Sequence, residues 1–312
     1  MDEPLSKLAV IVGPTAVGKT DISIKIAEKV NGEIISADSM LVYKNMNIGT
    51  AKPSMDERKG VLHHLVDVVE PYENYSVADF KELAERYIYE ITKKNKLPIV
   101  VGGTGLYINS LLNNYDFTTK AEDLEYRNYL KDIASKDGTS YLHEKLKDID
   151  IEAYDRIHSN DLKRIVRALE VYHITGKTIT YYQQESKKLP SKYNLKMIGL
   201  IIDRSKLYDR INKRVDNMVD NGLVEEVKAL KELGCNKSHT SMQGLGYKEI
   251  LEYLDGELSL NEAIEKIKIE TRHFAKRQLS WFRRDERIKW FEIDAYDCLE
   301  FLIKDIINYM EN

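Results

Sequence analysis

Apolar positions in this chain switch between two spacings. Leu8–Val12 is an unbroken β-rich run that stops at Gly13, and after Thr20 the apolar positions become Ile22, Ile26 and Val30, one face of a helix. "GEIISADS" (Gly32–Ser39) reads as a second buried strand with Asp38 at its C-terminal end. Ser76 and Asp79 have capping-box spacing, ahead of a buried stripe formed by Phe80, Leu83, Ala84, Tyr87, Ile88 and Ile91. "LPIVVGGTGLY" is a third strand running into a turn at Gly102–Gly105. Strands alternating with helices predict a parallel sheet with helices on both faces. Ligands of such sheets sit beyond the C-terminal strand ends, where Gly13, Asp38 and Gly102 all lie.

Between about 122 and 190 the strand signal is lost. "YRNYLKDIA", "YLHEKLKDI" and "NDLKRIVRALEVYHITGK" carry helical spacing, and Gly176 ends the last of them. Met197–Ile202 then returns to strand. The C-terminal third is mostly helix, with one element from Leu207 broken near Asn221-Gly222. A long helix follows from about 261 to 284, behind a capping box at Ser259 and Glu262. The segment "TRHFAKRQLSWFRRDERIKW" interleaves Phe274, Trp281, Phe282 and Trp290 with Arg272, Lys276, Arg277, Arg283, Arg284, Arg287 and Lys289. Phe274 and Phe282 fit the core stripe with Ile267, Thr271 and Gln278, leaving the basic residues as candidates for nucleic-acid phosphates.

Composition narrows the class. The chain has 312 residues, 31% charged and 43% apolar, with a net charge of −4. That suits a folded protein, and any nucleic acid must be met by a local basic face. Cys235 and Cys298 form no CxxC pair, and the histidines, including His63-His64, lack ligand spacing. Zinc and a disulfide framework are therefore not expected. The N-terminal residues lack a signal-peptide pattern and no apolar run approaches bilayer length, so the expectation is a cytoplasmic protein without a membrane span.

"GPTAVGKT" matches G-x-x-x-x-G-K-[ST] between a strand and a helix, the context a phosphate-binding loop requires. Gly13, Pro14, Thr15, Ala16, Val17 and Gly18 would turn backbone N–H groups toward an anion. Lys19 would meet the outer phosphate and the Thr20 hydroxyl would hold Mg²⁺. A P-loop ATPase also needs an acid at the end of a nearby apolar strand. The third strand ends "IVVGGTG" without one, and the strand-end acid is Asp38, placed either to take a proton or to cap a loop. The fold class is thus α/β: a P-loop NTPase-like core from 1–120 and 196–312, a parallel sheet flanked by helices, with an all-helical insertion at 121–195.

Seven segments together resemble the tRNA dimethylallyltransferase (tRNA isopentenyltransferase) family of bacterial type. They are "GPTAVGKT", "ISADSMLVYKNMNIGTAKP", "HHLVDVVEPYENYSVADF", "PIVVGGTGLYI", "RIHSNDLKRIVRALEVYHITGK", "MQGLGYKEI" and "TRHFAKRQLSWFRR". The resemblance implies transfer of a dimethylallyl group from dimethylallyl diphosphate to N6 of the adenosine 3′ of the anticodon, in tRNAs reading codons that begin with U. It further implies Asp38 as general base with Thr104 beside the reaction centre, and Lys19, Thr20 and Arg214 on the diphosphate. The tRNA anticodon stem-loop would be met by Asp38, Ser39, Met40, Leu41 and Thr104. Further contacts would come from Arg127, from Lys163, Arg164, Ile165, Val166 and Arg167, and from Gln243, Gly244, Leu245, Gly246, Tyr247 and Lys248. Leu41 stands where many relatives have Gln, and Lys163 where many have Arg. The expected assembly is a monomer using Mg²⁺. Competing readings are an isopentenyltransferase acting on free AMP or ATP, a P-loop small-molecule kinase that binds ATP, and an RNA-binding protein without catalysis.

Overall fold

The apolar run Ser6–Val12 forms strand β1, buried along its last five residues, in a computed structural model that describes residues 5–113, 123–188 and 190–312. It is followed by α1 (Lys19–Val30), β2 (Gly32–Ser36), β3 (His63–His64), α2 (Val77–Lys93), β4 (Leu97–Gly102) and α3 (Gly105–Leu112). Next come five helices, α4 (Leu124–Asp137), α5 (Thr139–Ile149), α6 (Ile151–Arg156), α7 (Leu162–Thr175) and α8 (Ile179–Lys188). The chain returns through β5 (Tyr193–Ile201), α9 (Arg204–Asp220), α10 (Leu223–Glu232), α11 (Tyr247–Leu254) and α12 (Leu260–Phe282). It ends with β6 (Ile288–Glu292) and α13 (Leu299–Glu311).

The sheet is parallel throughout, in the order β3-β2-β4-β1-β5-β6. Ala9, Ile11, Ile34, Ile99, Val101, Ile198 and Leu200 share a cluster with α1, α9 and α13. Their alternates Leu8, Val10, Val12, Ile35 and Val100 are equally buried, so both faces of the sheet are covered. β1 lies between β4 and β5, which puts the loop after it at the middle of the sheet's C-terminal edge. A second apolar cluster joins Val42, Tyr43 and Met46 to α9, α10, α11 and α12. It anchors the segment that follows Asp38.

Contacts divide the chain into two units, 1–108 with 193–312, and 109–192. The boundary at 120/121 read from the sequence lies outside the described residues, and the one at 195/196 falls inside β5. Strand β5 begins at Tyr193, earlier than Met197, because its first half alternates with polar Asn194 and Lys196 and hides the apolar run. The unit 109–192 is helical in its described residues and has its own core of Leu130, Leu142, Leu146, Ala153, Ile165 and Leu169.

The C-terminal basic segment is not one helical face. Helix α12 stops at Phe282, a turn follows in which Arg287 grips Asp285 at 2.7–2.8 Å, and Ile288–Glu292 pairs with β5 as an edge strand. Lys289 and Glu292 break up the short apolar run of "IKWFE" and hide that strand in the sequence. Phe282 is buried as expected, but Phe274 is only half-buried and Ala275 takes the core position beside it. Arg272 reaches Asn212 at 2.7 Å, and exposed Lys289 lies over Phe291 and Tyr309, so each already has a partner within the chain. Among the described residues no helix is long and apolar enough to cross a membrane.

Candidate active site

The loop after β1 turns into α1 at Gly18, whose φ of 102° is in the left-handed region that suits glycine. The Lys19 ammonium donates to the carbonyls of Gly13 at 2.9 Å and Pro14 at 2.8 Å, folding back over the loop. Burial pushes its pKa down to about 8, against the pull of Asp38, while the neighbouring Arg214 lowers it further. Thr20 is exposed in the first turn of α1.

Asp38 lies two residues past β2. Its Oδ1 accepts the N–H groups of Met40 at 2.8 Å and Leu41 at 3.4 Å. The loop-cap reading of Asp38 is therefore real, but it occupies one oxygen. Among the described residues Oδ2 makes no hydrogen bond, so the cap leaves one carboxylate oxygen unused. The turn after β4 closes on the same place: Thr104 N–H donates to Ala37 O at 3.3 Å, and Thr104 Oγ1 accepts Ser39 N–H at 3.2 Å. The ends of β1, β2 and β4 thus bring Lys19, Asp38 and Thr104 to one edge of the sheet.

Helix α9 supplies the remaining cations. Burial lowers the pKa of Arg214, opposed by the charge of Asp38, and its Nη2 donates to Thr50 O at 3.0 Å. Arg210, one turn earlier, donates to Val17 O at 3.2 Å. The sequence reading missed Arg210, although its i,i+4 spacing from Arg214 puts both on one helix face. Glu226 was missed as well. Its carboxylate gathers the N–H groups of Asn47, Ile48 and Gly49 at 2.8–3.1 Å and the Tyr247 hydroxyl at 2.6 Å. It thereby staples the loop that offers Thr50 O to Arg214.

Several residues expected to touch tRNA have other work. Tyr247 is buried against Glu226, and burial raises its phenol pKa strongly. Gly244 and Gly246 are buried and Leu245 half-buried, whereas Gln243 and Lys248 are exposed, with Gln243 donating to Lys237 O. Ile165 and Val166 point into the helical unit's own core. Arg127 and Arg167 both bind Glu170, which is fully buried: Arg127 through Nε at 2.6 Å and Nη2 at 3.0 Å, Arg167 through Nη1 at 2.6 Å. Lys163 and Arg164 are the exposed cations of that helix turn. Met40, Leu41 and Ser39 are half-exposed beside Asp38.

Comparison with known proteins gives a consistent picture. The family model for IPP transferase matches residues 41–285. The chain is 54% identical over 306 residues to a tRNA dimethylallyltransferase of Acetivibrio thermocellus, covering 98% of each chain. It is 55% identical over 301 residues to one of Carboxydothermus hydrogenoformans, covering 96% of each. Among solved structures, the full-length tRNA isopentenylpyrophosphate transferase of Bacillus halodurans superimposes with a TM-score of 0.74 at 44% identity, over 98% of this chain and 97% of that one. Crystallographic snapshots of a eukaryotic dimethylallyltransferase acting on tRNA give 0.80 at 33% identity, over 92% of this chain and 74% of that one.

Proposed function

This chain belongs to the IPP transferase family, and on that premise we propose that it prenylates tRNA, moving a dimethylallyl group from dimethylallyl diphosphate to adenosine N6 beside the anticodon. The observation that carries the reading is the convergence of Lys19, Asp38, Thr104 and Arg214 at the C-terminal strand ends. A phosphate loop lies beside a strand-end carboxylate, while β4 itself ends in Gly102. That combination suits diphosphate as a leaving group better than hydrolysis of a nucleoside triphosphate.

In the transfer, the bond from N6 to the allylic carbon forms as the carbon–oxygen bond to diphosphate breaks. The N6 proton passes to Asp38 Oδ2, while Oδ1 keeps the turn fixed. Proton removal of this kind is worth roughly 10²–10⁴ in rate, because the adenine amine's lone pair is delocalised into the ring. Lys19, Arg214 and the loop amides meet the charge that develops on the departing diphosphate. The adenosine must leave its stack to reach the site, at a cost of about a few kcal/mol. Exposed Lys163, Arg164, Gln243 and Lys248 are proposed to hold tRNA while it does so. Thr104 and half-exposed Ser39, Met40 and Leu41 would line the approach to Asp38.

Among the described residues no cluster of three or more His, Cys, Asp or Glu side chains could cage a metal. The hydroxyl of Thr20, exposed at the start of α1, would hold a Mg²⁺ ion there. When bound, Mg²⁺ would supply further neutralisation of the leaving group. We place the reaction in the cytoplasm, with the protein acting as a monomer.

The test is to incubate the protein with dimethylallyl diphosphate and unmodified tRNA, digest the tRNA and look for prenylated adenosine by mass spectrometry. The expected result is one modified adenosine next to the anticodon, with diphosphate released. Prenylation of free AMP or ATP but not of tRNA would replace the acceptor. Robust tRNA-independent ATP hydrolysis, abolished by Lys19→Ala, would replace the reaction with that of a kinase or ATPase.

A further inference from the structure

Helix α12 sends one polar side chain into the middle of the site. Gln278 is 6% exposed in a helix whose other inward positions include Ile267, Ala275 and Phe282. A buried amide needs partners, and each end of this one finds a different loop. Its Oε1 accepts the N–H of Thr15, inside the phosphate loop, at 2.8 Å. Its Nε2 donates to the carbonyl of Gly103, in the turn that carries Thr104, at 3.0 Å. Gly103 is what admits the amide, since a Cβ there would collide with Nε2.

We propose that Gln278 is a positioning residue for prenyl transfer, setting the phosphate loop and the Gly103-Thr104 turn in register through one amide. The inference rests on the function proposed above. The loop presents diphosphate-binding groups, whereas the turn, through Thr104 and Ser39, abuts the carboxylate that takes the proton. A side chain bonded to both fixes the distance between leaving group and base. It also fixes which way the Thr15 peptide faces, holding that N–H toward α12. A single hydrogen-bonded amide does this with no charge, so it adds nothing to the diphosphate's electrostatics. Its effect is geometric.

Two variants test this from opposite sides. Gln278→Met keeps volume and flexibility close to the original while removing both hydrogen bonds, so a residue that merely filled the core would be replaced with little loss. Gly103→Ala leaves Gln278 in place and pushes its terminal amide aside, a displacement a flexible side-chain end absorbs without unfolding the protein. Each should slow single-turnover prenyl transfer by about 10- to 100-fold and weaken binding of inorganic diphosphate several-fold, with tRNA affinity within about twofold of wild type. The double variant should be little worse than the poorer single one, because both changes break the same bridge.

Rates and diphosphate affinities within about threefold of wild type in a folded Gly103→Ala protein would overturn the proposal. So would fully additive losses in the double variant. Absence of prenyl transfer in the wild type would overturn the function instead. In that case diphosphate affinity still decides whether Gln278 sets the loop, since that measurement needs no tRNA.

Discussion

The phosphate-loop edge of the sheet and the helical unit 109–192 both carry cations, yet they use them in opposite ways. At the sheet edge three cations are tied down: Lys19 to Gly13 and Pro14, Arg210 to Val17, Arg214 to Thr50. In the helical unit the cations divide. Arg127 and Arg167 converge on buried Glu170, the Arg127 pair holding α4 to α7, while Lys163 and Arg164 stay exposed. Chemistry needs a few groups fixed to within a fraction of an ångström, and each of the three sheet-edge cations is bonded to backbone carbonyl oxygen. Holding a polyanion needs charge spread over a surface, where each contact is worth little and none is indispensable. Substitutions should therefore be steep at the sheet edge and shallow on the helical unit.

The steepest break is expected at Asp38. Asp38→Asn keeps the oxygen that accepts the Met40 and Leu41 N–H groups, so the turn survives. It loses the oxygen that can take a proton. Single-turnover prenyl transfer at saturating donor should slow by about 10²-fold or more, equivalent to about 2.7 kcal/mol, with tRNA binding preserved. A rate within about threefold of wild type would leave Asp38 as a cap only, and the comparison would lose its fixed base.

Lys19 gives a tenfold effect that needs no mutation. With its pKa down to about 8, Lys19 is mostly protonated at neutral pH and mostly neutral at pH 9. Inorganic diphosphate affinity should fall about tenfold between pH 7 and pH 9, and Lys19→Arg should flatten that limb. Folding stability moves the other way. Folded Lys19 gives up its proton below the ordinary value of 10.5, so from about pH 8 upward the unfolded state binds more protons and the penalty on the fold is relieved. Titration calorimetry beside thermal melts separates the two. An affinity loss that tracks a falling melting temperature would contradict this assignment.

How much of this was legible in the sequence follows from how local each feature is. The phosphate loop, Asp38 and the Gly102–Gly105 turn each sit immediately after a strand, so a run of apolar residues announces them. Gln278 and Thr15 are 263 residues apart, and only the packing of α12 brings them together. The spacing placed Gln278 correctly on the buried stripe but could not say that its amide reaches two loops. Glu226 and the bond that Tyr247 makes to it were hidden for the same reason, each meeting partners from another element. In the helical unit the periodicity revealed α4, α5 and α7 but not α6 or α8, and Gly176 ended α7, where it accepts the left-handed φ of 67°. The charge pattern there did not separate Arg167 from Lys163 and Arg164, and nothing local marks Glu170 as the buried partner that Arg127 and Arg167 share. Ile165 and Val166 fall in the same motif window but face the core, since such a window takes in inward and outward positions alike. Strand β6 was lost because Lys289 and Glu292 flank its apolar residues.

The shallowest effects should come from Lys163 and Arg164. Both are exposed on the first turn of α7, and Arg164 shares its guanidinium with the capping residue Asp161 at 3.3 Å. That pair is solvent-exposed and so stabilises the helix little, which leaves Arg164 able to exchange Asp161 for a phosphate. If each residue meets one tRNA phosphate, Lys163→Ala or Arg164→Ala should weaken tRNA binding only about two- to fivefold near physiological salt. Each should also reduce the slope of log affinity against log salt by about 0.7–0.9. Inorganic diphosphate affinity should be unchanged in both, since neither belongs to the phosphate loop. Arg167→Ala should differ in kind. It removes a partner from buried Glu170, so its effect should appear first as a lower melting temperature of the helical unit, and on tRNA only as a consequence. Fluorescence binding at four or five salt concentrations, with melts on the same samples, distinguishes these outcomes. A Lys163→Ala or Arg164→Ala protein with the wild-type salt slope would remove that residue from the RNA surface. An Arg167→Ala protein with wild-type stability and a reduced slope would put Arg167 back on that surface and make the division within the helical unit wrong.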